Sequence, residues 1–349
     1  MPDRLYAQTN SAEENEVVVL HRQQAGTLLP AGRYRTDGFG TGVDIGLVEA
    51  AVNSQGSVAL DEDGQYLFAV NAGSNDISSF AVVNGGLRLV GKVSSGGPGP
   101  VSIAIHDDLL YVANKFGRGG IAGFRIDGDG ELRPLENSHR PLSAEGAAPA
   151  QLSFTPDGKF LILTELATDR IVTYRIGPNG RPGQPSSKQS SGQTPFGFGF
   201  DTEGRLIVSE AFRDAPDGSA VSSYRLNSSG VPTVISASVP TTETSACWIA
   251  TTPDGRYTYT SNSLSGSISG YRVEPDGQLE LLDNDGQTGV TGEDSHPLDI
   301  AISSDGSYLY VLNGGSQTVG AFELQLGGGL VPLPYAGGIP TGSVGLVAA

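Results

Sequence analysis

The segment "IAISSDGSYLYVLN" (300–313) holds two short runs rich in apolar residues, joined by an Asp-Gly turn. Asp-Gly between two such runs is a strong signal for a tight β-hairpin. Related segments recur along the chain: "SVALDEDG" (57–64), "SIAIHDD" (102–108), "QLSFTPDG" (151–158), "FGFDTEG" (198–204) and "WIATTPDG" (248–255). The sequence therefore predicts a repeated unit that begins with a hairpin.

Two further predicted strands follow each hairpin. The third strand reads "DRIVTYRI" (169–176) in one copy and "GSISGYRV" (266–273) in another, and seven copies occur, most of them about 50 residues apart. The fourth strand opens after a glycine turn, as in "DGQLELL" (276–282). Four antiparallel strands at this period are typical of a β-propeller blade. We therefore predict an all-β chain that forms a single seven-bladed β-propeller domain over residues 1–349.

The two ends of the chain complement each other. The segment "GSVGLVAA" (342–349) resembles a first strand without its second, and "MPDRLYAQTN" (1–10) resembles a turn followed by a second strand. We predict that the C-terminal strand completes the N-terminal blade. Such closure leaves no long sheet edge exposed within that blade.

Charge and hydropathy restrict the classes of partner that this chain is expected to bind. Its 349 residues include 38 acidic and 21 basic side chains, with a formal net charge of -17. This surface repels phosphate backbones and anionic lipid, and no apolar run approaches the roughly 18–20 residues that span a bilayer. We expect no nucleic-acid or membrane partner, a small-molecule substrate and a monomer.

The single cysteine, Cys247, rules out an intrachain disulfide and thiolate metal clusters. The first ten residues show none of the regions of a signal peptide. We expect a cytoplasmic protein, with export after removal of a signal left open.

The last residue of each predicted second strand forms a ring around the propeller. Its members are Asn10, Asn71, Asn114, Glu165, Glu210, Asn262 and Asn313. Asparagine suits the turn after a strand because it tolerates left-handed backbone. Glutamate lacks that property, so Glu165 and Glu210 are either functional or paired with a neighbour such as Arg170 or Arg213. We consider both candidate catalytic residues.

The ring lies on the face that also carries the long connections into the innermost strands, predicted at 37–54, 136–148, 184–194, 237–245 and 283–296. Length variation on one face of a repeat protein usually marks its binding surface. His296, in "EDSHPLDIA" (293–301), precedes an innermost strand and is a third catalytic candidate. The candidate substrate-binding residues on this face are Gln55, Lys115, Gln151, Arg213 and Trp248.

With these repeats, the segment "TPDGKFLILTELATDRIVTYRI" (155–176) resembles the seven-bladed lactonase family, which includes 6-phosphogluconolactonase-like and carboxymuconate-cyclase-like proteins. The resemblance implies a metal-independent cleft of His, Arg and Glu, in which Glu165 matches the glutamate of the fourth blade. Where phosphogluconolactonase-like members carry an Arg-His pair, this sequence has Ala150 and Gln151. The resemblance therefore implies a lactone substrate but disfavours a phosphorylated one.

Three functions compete. The first is a lactonase-like hydrolase without cofactor, in which Glu165 acts as the general base and His296 or Arg213 stabilises the oxyanion. The second adds Ca²⁺ or Mg²⁺ in the central funnel, held by Glu165 and Glu210 with Asn114 or Asn262, because hard cations prefer oxygen ligands. The third is a non-catalytic propeller whose loop-rich face binds a partner.

Overall fold

The structure is a computed structural model that describes residues 4–42 and 54–349. Apart from a single short turn at Phe212–Asp214, its regular elements are β-strands. In chain order the strands are β1 (Arg4–Gln8), β2 (Glu16–Arg22), β3 (Leu28–Arg35), β4 (Val58–Leu60), β5 (Tyr66–Asn71), β6 (Asp76–Val83), β7 (Gly86–Ser94), β8 (Pro100–His106), β9 (Leu109–Asn114), β10 (Gly120–Ile126), β11 (Leu132–Pro134), β12 (Pro149–Phe154), β13 (Phe160–Glu165), β14 (Arg170–Ile176), β15 (Pro182–Gln189), β16 (Pro195–Phe200), β17 (Leu206–Glu210), β18 (Ala220–Leu226), β19 (Pro232–Pro240), β20 (Ala246–Thr251), β21 (Tyr257–Asn262), β22 (Ser267–Val273), β23 (Leu279–Leu281), β24 (Gly289–Val290), β25 (Pro297–Ile302), β26 (Tyr308–Asn313), β27 (Thr318–Leu324), β28 (Leu330–Gly337) and β29 (Val344–Ala348).

These strands form seven antiparallel blades. Blade 1 has the order β29-β1-β2-β3, and blades 2 to 7 follow in chain order from β4, β8, β12, β16, β20 and β25. In blade 6 the short strand β24 also pairs with β22. The predicted seven-bladed all-β propeller is confirmed.

Ring closure takes place in blade 1. The C-terminal strand β29 pairs with β1 through Leu5 opposite Ala348 and Tyr6 opposite Val347. The backbone N–H of Ala349 also donates to the carbonyl of Arg4 (2.8 Å). The structure thus confirms the predicted completion of the first blade by the last strand.

The apolar core consists of layers between neighbouring blades, and β13 shows why its sequence is apolar throughout. Leu161 and Leu163 pack against blade 3, whereas Phe160 and Ile162 pack against blade 5. Side chains alternate between the two faces of a strand, so a strand with a blade on each side buries both faces. The equivalent second strands of the other blades are buried for the same reason.

The connections into the innermost strands lie on one face, together with the ends of the second strands. Two of them are shorter than predicted, because β15 continues to Gln189 and β19 to Pro240. The predicted connection 37–54 falls largely outside the described residues, which omit 43–53. Within the described part of the chain, no helix has the length and apolar character needed to cross a membrane.

Candidate functional site

The ring residues at the ends of the second strands point toward the preceding blade. Glu165 follows Leu161 and Leu163 by two-residue steps, so strand alternation turns its side chain toward blade 3, as it does theirs. Glu165 and Glu210 are both 0% exposed. Strand alternation therefore directs these carboxylates into the layers between blades.

Glu165 binds the connection that arrives from blade 3. Its Oε1 accepts the backbone N–H of Ser143 (2.8 Å), and its Oε2 accepts the hydroxyls of Ser143 and Thr168 (2.7 Å for Thr168). Arg170, considered above as an ion-pair partner, instead donates to Ser187 Oγ (3.0 Å). These contacts favour a structural role, and a general-base role for Glu165 stays a prediction.

Glu210 is surrounded by donors from blades 4 and 5. Among the described residues, its oxygens accept the hydroxyl of Ser190 (3.1 Å), the N–H of Gly192 (2.7 Å) and the hydroxyls of Ser222 (2.9 Å), Tyr224 (3.3 Å) and Ser238 (2.7 Å). A buried carboxylate needs such compensation. The arrangement explains why an acid is stable here without an ion pair to Arg213.

The ring asparagines also form hydrogen bonds with neighbouring residues. Asn114 Nδ2 donates to the carbonyl of Ser95 (3.1 Å), in the connection from blade 2. Asn262 Nδ2 donates to the hydroxyls of Ser267 (3.0 Å) and Ser269 (2.8 Å). Asparagine and glutamate thus hold the same part of successive blades.

Hydrogen-bond donors face the carboxylates of both glutamates, and the described residues contain a denser group of acids elsewhere. Within residues 4–42 and 54–349, one cluster of three acids is close enough to share a metal ion: Asp127, Asp129 and Glu131. That cluster is on a turn of blade 3, where Arg133 pairs with Asp127. A Ca²⁺ or Mg²⁺ ion held by Glu165 and Glu210 with Asn114 or Asn262 stays a prediction.

Gln151 and Gln55 join blades through both atoms of their amides. Gln151 Nε2 donates to the carbonyl of Phe198 (3.0 Å), and its Oε1 accepts the N–H of Phe198 (2.5 Å). Gln55 makes the same pair of bonds with Ile249 (2.7 and 3.0 Å), which connects blade 2 with blade 6 across the ring. These bonds compete with the predicted substrate contacts of both amides, which stay predictions.

Trp248 belongs to the apolar layer near the start of β20. It is 3% exposed, its Nε1 donates to the carbonyl of Ser54 (3.1 Å), and its ring centroid is 4.8 Å from that of Phe196. The neighbouring thiol of Cys247 is buried as well, and burial raises its pKa to about 12. A thiol with so high a pKa is a poor nucleophile at neutral pH.

Lys115 and Arg213 provide positive charge on the loop-rich face. Lys115 is half-buried, and burial lowers the pKa of its ammonium group. Arg213 is exposed; its Nη2 bonds Asp169 Oδ2 (3.0 Å) and its Nε bonds Gln193 Oε1 (3.2 Å). Arg213 belongs to three successive residues in left-handed backbone, with φ of 48°, 53° and 58°, which is strained for residues other than glycine.

His296 is half-buried and also has left-handed backbone, with φ of 45°. Its ring lies against Gly315, where a Cβ would come within 2.7 Å of Cδ2. Its Nδ1 is buried and has no hydrogen-bond partner among the described residues. Among the three predicted catalytic residues, His296 is therefore the one with a buried side-chain atom that forms no hydrogen bond within the described part of the chain.

Asp299 is a buried acid that the sequence reasoning missed. It is 1% exposed within β25 and accepts the N–H groups of Leu346 (3.1 Å) and Ile300 (3.0 Å). Burial raises its pKa to about 8, and the N–H groups of Leu346, Ile300 and Gly56 oppose that shift. An acid within the apolar run "PLDIAI" (297–302) was the available signal.

The structure assembles only part of the predicted site. Gln55 and Trp248 meet through the bonds that join Ser54 and Gln55 to blade 6. Glu165, Glu210 and His296 belong to blades 4, 5 and 7, and in the described residues no hydrogen bond or ion pair links any two of them. A catalytic site shared by these three residues stays a prediction.

These observations define the class of protein. It is a closed seven-bladed propeller with one loop-rich face and buried acids beneath that face. Residues 44–334 match the family model described as "Lactonase, 7-bladed beta-propeller". The match covers most of the chain, and the chain belongs to this family.

Named relatives and solved structures are similar to this chain. A 6-phosphogluconolactonase of Erwinia tasmaniensis is 22% identical over 268 residues, covering 76% of this chain and 78% of the relative. The crystal structure of a putative 6-phosphogluconolactonase from Bacteroides fragilis superposes with a TM-score of 0.74 at 22% identity, covering 100% of this chain and 98% of the other. The periplasmic gluconolactonase of Pseudomonas aeruginosa gives a TM-score of 0.76 at 19% identity, with 99% of both chains covered.

Proposed function

We propose that this chain hydrolyses a lactone or related cyclic ester on its loop-rich face, with His296 as the general base. The observation that carries the proposal is the buried Nδ1 of His296, which no described residue satisfies. Several buried polar atoms of the described residues lack a partner, and this is the one imidazole nitrogen among them. A buried polar group without a partner calls for an explanation, of which catalysis is one.

In the proposed reaction, the imidazole takes a proton from a water whose oxygen attacks the carbonyl carbon of the lactone. The tetrahedral intermediate collapses, the ring C–O bond breaks, and the proton passes to the departing alkoxide to give a hydroxy acid. General base catalysis of this kind contributes about 10²–10⁴-fold. Lys115 and Arg213 supply the positive charge that stabilises the oxyanion or holds the substrate.

We expect a lactone without a phosphate group. Ala150 is fully buried in an apolar cluster, and the amide of Gln151 is bonded to the backbone of Phe198. Neither residue offers positive charge where the phosphogluconolactonase-like pattern has Arg-His.

The test measures the hydrolysis of a panel of lactones from the release of protons. The proteins compared are wild type, His296→Gln, Glu165→Gln and Glu210→Gln, each with and without EDTA. We expect turnover in wild type, a loss of at least about 100-fold in His296→Gln, and no effect of EDTA. His106→Gln, at the end of β8 on the opposite face, is the matched control and should retain full activity. Full activity in folded His296→Gln would exclude His296 as the base.

The other arms of this test distinguish the competing functions. A lower kcat in fully stable Glu165→Gln would return the base role to that residue. A rate abolished by EDTA would favour the metal-dependent hydrolase.

A non-catalytic binding propeller is the second candidate. Four large apolar side chains are exposed on the loop-rich face: Phe39, Phe116, Leu264 and Val290. Exposed apolar side chains of this kind are common where partners bind. A panel without turnover, combined with a partner whose binding is lost in Phe116→Ser, would favour this function.

A further inference from the structure

We infer that residues 54–57, which lead into β4, form an axial plug that closes the central tunnel of the propeller. A ligand bound in the funnel of the loop-rich face then has no passage along the axis, and it enters and leaves through that face. The plug does not rest on the proposed hydrolysis, and it can be tested without any substrate.

On one side of the axis, the plug is hydrogen-bonded to blades 3 and 4. Ser54 Oγ donates to the carbonyl of Val101 (2.6 Å), and the hydroxyl of Ser102 donates to the carbonyl of Gln55 (2.6 Å). The N–H of Gln55 donates to the carbonyl of Ala150 in β12 (2.9 Å). The backbone of the plug is thus held by the innermost strands of two neighbouring blades.

On the other side of the axis, the plug is bonded to blades 6 and 7. The amide of Gln55 donates to the carbonyl of Ile249 (2.7 Å) and accepts the N–H of the same residue (3.0 Å). The N–H of Gly56 donates to the carboxyl group of Asp299 in β25. The plug therefore connects innermost strands on opposite sides of the ring.

The remaining three blades contact the plug as well. A Cβ on Gly197 of blade 5 would come within 2.3 Å of Gln55 Oε1, and one on Gly345 of blade 1 would come within 2.4 Å of Ser57 Oγ. Glycine permits such close approach because it has no side chain. In blade 2, the N–H of Val70 donates to the carbonyl of Ser57 (3.0 Å). Four consecutive residues thus meet all seven blades.

Chain length places these four residues on the axis. Four extended residues span at most about 14 Å, so they can meet the innermost strands of all seven blades only where those strands converge. Ser54 is 1% exposed and Ser57 is 0% exposed, so both ends of the plug are packed against protein. The geometry therefore fits a plug that fills the tunnel.

The test follows the indole of Trp248, the single tryptophan, whose Nε1–H donates to the carbonyl of Ser54 (3.1 Å). Hydrogen exchange of this N–H is measured by NMR in the whole protein, together with the quenching of its fluorescence by acrylamide. Wild type should exchange slowly and be quenched weakly, because the indole is released only when the plug moves. Gln55→Ala removes the side chain that crosses the axis. Its indole N–H should exchange at least about tenfold faster, with stronger quenching.

Two further variants distinguish the plug from general loosening of the core. Gln151→Ala is the matched control, because it removes the same pair of amide bonds, to Phe198, between neighbouring blades. It should leave the exchange of the Trp248 N–H unchanged. Gln55→Met keeps a side chain of similar length across the axis, and its quenching should stay close to that of wild type. Equal exposure of the indole in Gln151→Ala, or in Gln55→Met, would overturn the inference.

Rapid exchange of the indole N–H in wild type would also overturn the inference, as would an unchanged indole in folded Gln55→Ala. Gln55→Asn, whose amide is one methylene too short to reach Ile249, is used if Gln55→Ala does not fold. A lactone panel without turnover would leave the plug standing, and an accessible indole would leave the hydrolysis standing. The two proposals are therefore tested separately.

Discussion

The hydroxyl of Ser222 donates its hydrogen to Glu210 (2.9 Å), because its oxygen accepts the backbone N–H of Ser238 (2.8 Å). Ser222 therefore needs an acceptor at position 210. A carboxylate offers only acceptors, and every described group that faces it is a donor.

Blade 6 shows the reverse polarity at the same place. Ser269 donates to the carbonyl of Gly286 (2.6 Å), so its oxygen needs a donor, and Asn262 Nδ2 provides one (2.8 Å). The direction of one serine hydroxyl thus separates a blade that uses glutamate from a blade that uses asparagine. These hydrogen bonds explain why position 210 is a glutamate without assigning it a catalytic role.

Glu210→Gln should therefore destabilise the fold. The substitution turns one acceptor oxygen into an amide NH₂ that faces donors, and an unpaired buried group costs about 1–3 kcal/mol. We expect a drop of about 2 kcal/mol or more in the free energy of unfolding, measured in guanidinium by the fluorescence of Trp248, the single tryptophan. Glu203→Gln, at an exposed turn of the same blade, is the control and should change little. Unchanged stability of Glu210→Gln would refute the structural explanation.

Asp299 should make the stability depend on pH. Its pKa is raised by burial to about 8 in the folded protein, from an ordinary value of 3.8. Between these two pH values the unfolded chain has lost the proton that the folded chain keeps, so stability falls as pH rises and levels off above about pH 8. The slope from this group is at most about 1.4 kcal/mol per pH unit.

Asp299→Asn should remove this contribution to the pH dependence of stability, because the amide does not ionise. The difference in unfolding free energy between the variant and wild type should move in favour of the variant from about pH 4 to pH 8, and then stay constant. Denaturant unfolding of both proteins across pH 4–9 measures it. A constant difference over this range would mean that the carboxyl is ionised in the folded protein.

Introducing the Arg-His pair should lower the stability of this protein without giving it activity toward a phosphorylated lactone. In Ala150→Arg/Gln151→His, an arginine replaces a fully buried alanine, and the imidazole cannot reproduce both amide bonds to Phe198. We expect a loss of at least about 2 kcal/mol of stability, checked by denaturant unfolding, and no 6-phosphogluconolactone hydrolysis. Ala148→Arg, in the half-exposed residue before Pro149, is the control for added charge. A stable double variant with new activity would show that the site needs only this pair.

The repeat could be derived from the sequence because its signals are local. Asp-Gly turns and apolar runs, such as "SSDG" (303–306) before "YLYVLN" (308–313), depend on neighbouring residues and specify hairpins of fixed register. The match between "GSVGLVAA" and the N-terminal segment predicted closure for the same reason. Register also determines where Glu165 points, but the turn preferences alone did not show which neighbouring blade it faces.

The sequence by itself determined seven four-stranded blades, their closure through β29 and β1, and the presence of acids at two ring positions. Only the tertiary structure decided that Glu165 and Glu210 accept donors between blades, that Gln55 and Gln151 bond to distant backbone, and that Asp299 is buried. Strand and turn signals act between residues close in the chain, whereas a side chain's partners come from blades as far apart as Gln55 and Ile249. The direction of each hydrogen bond is fixed only when the ring closes.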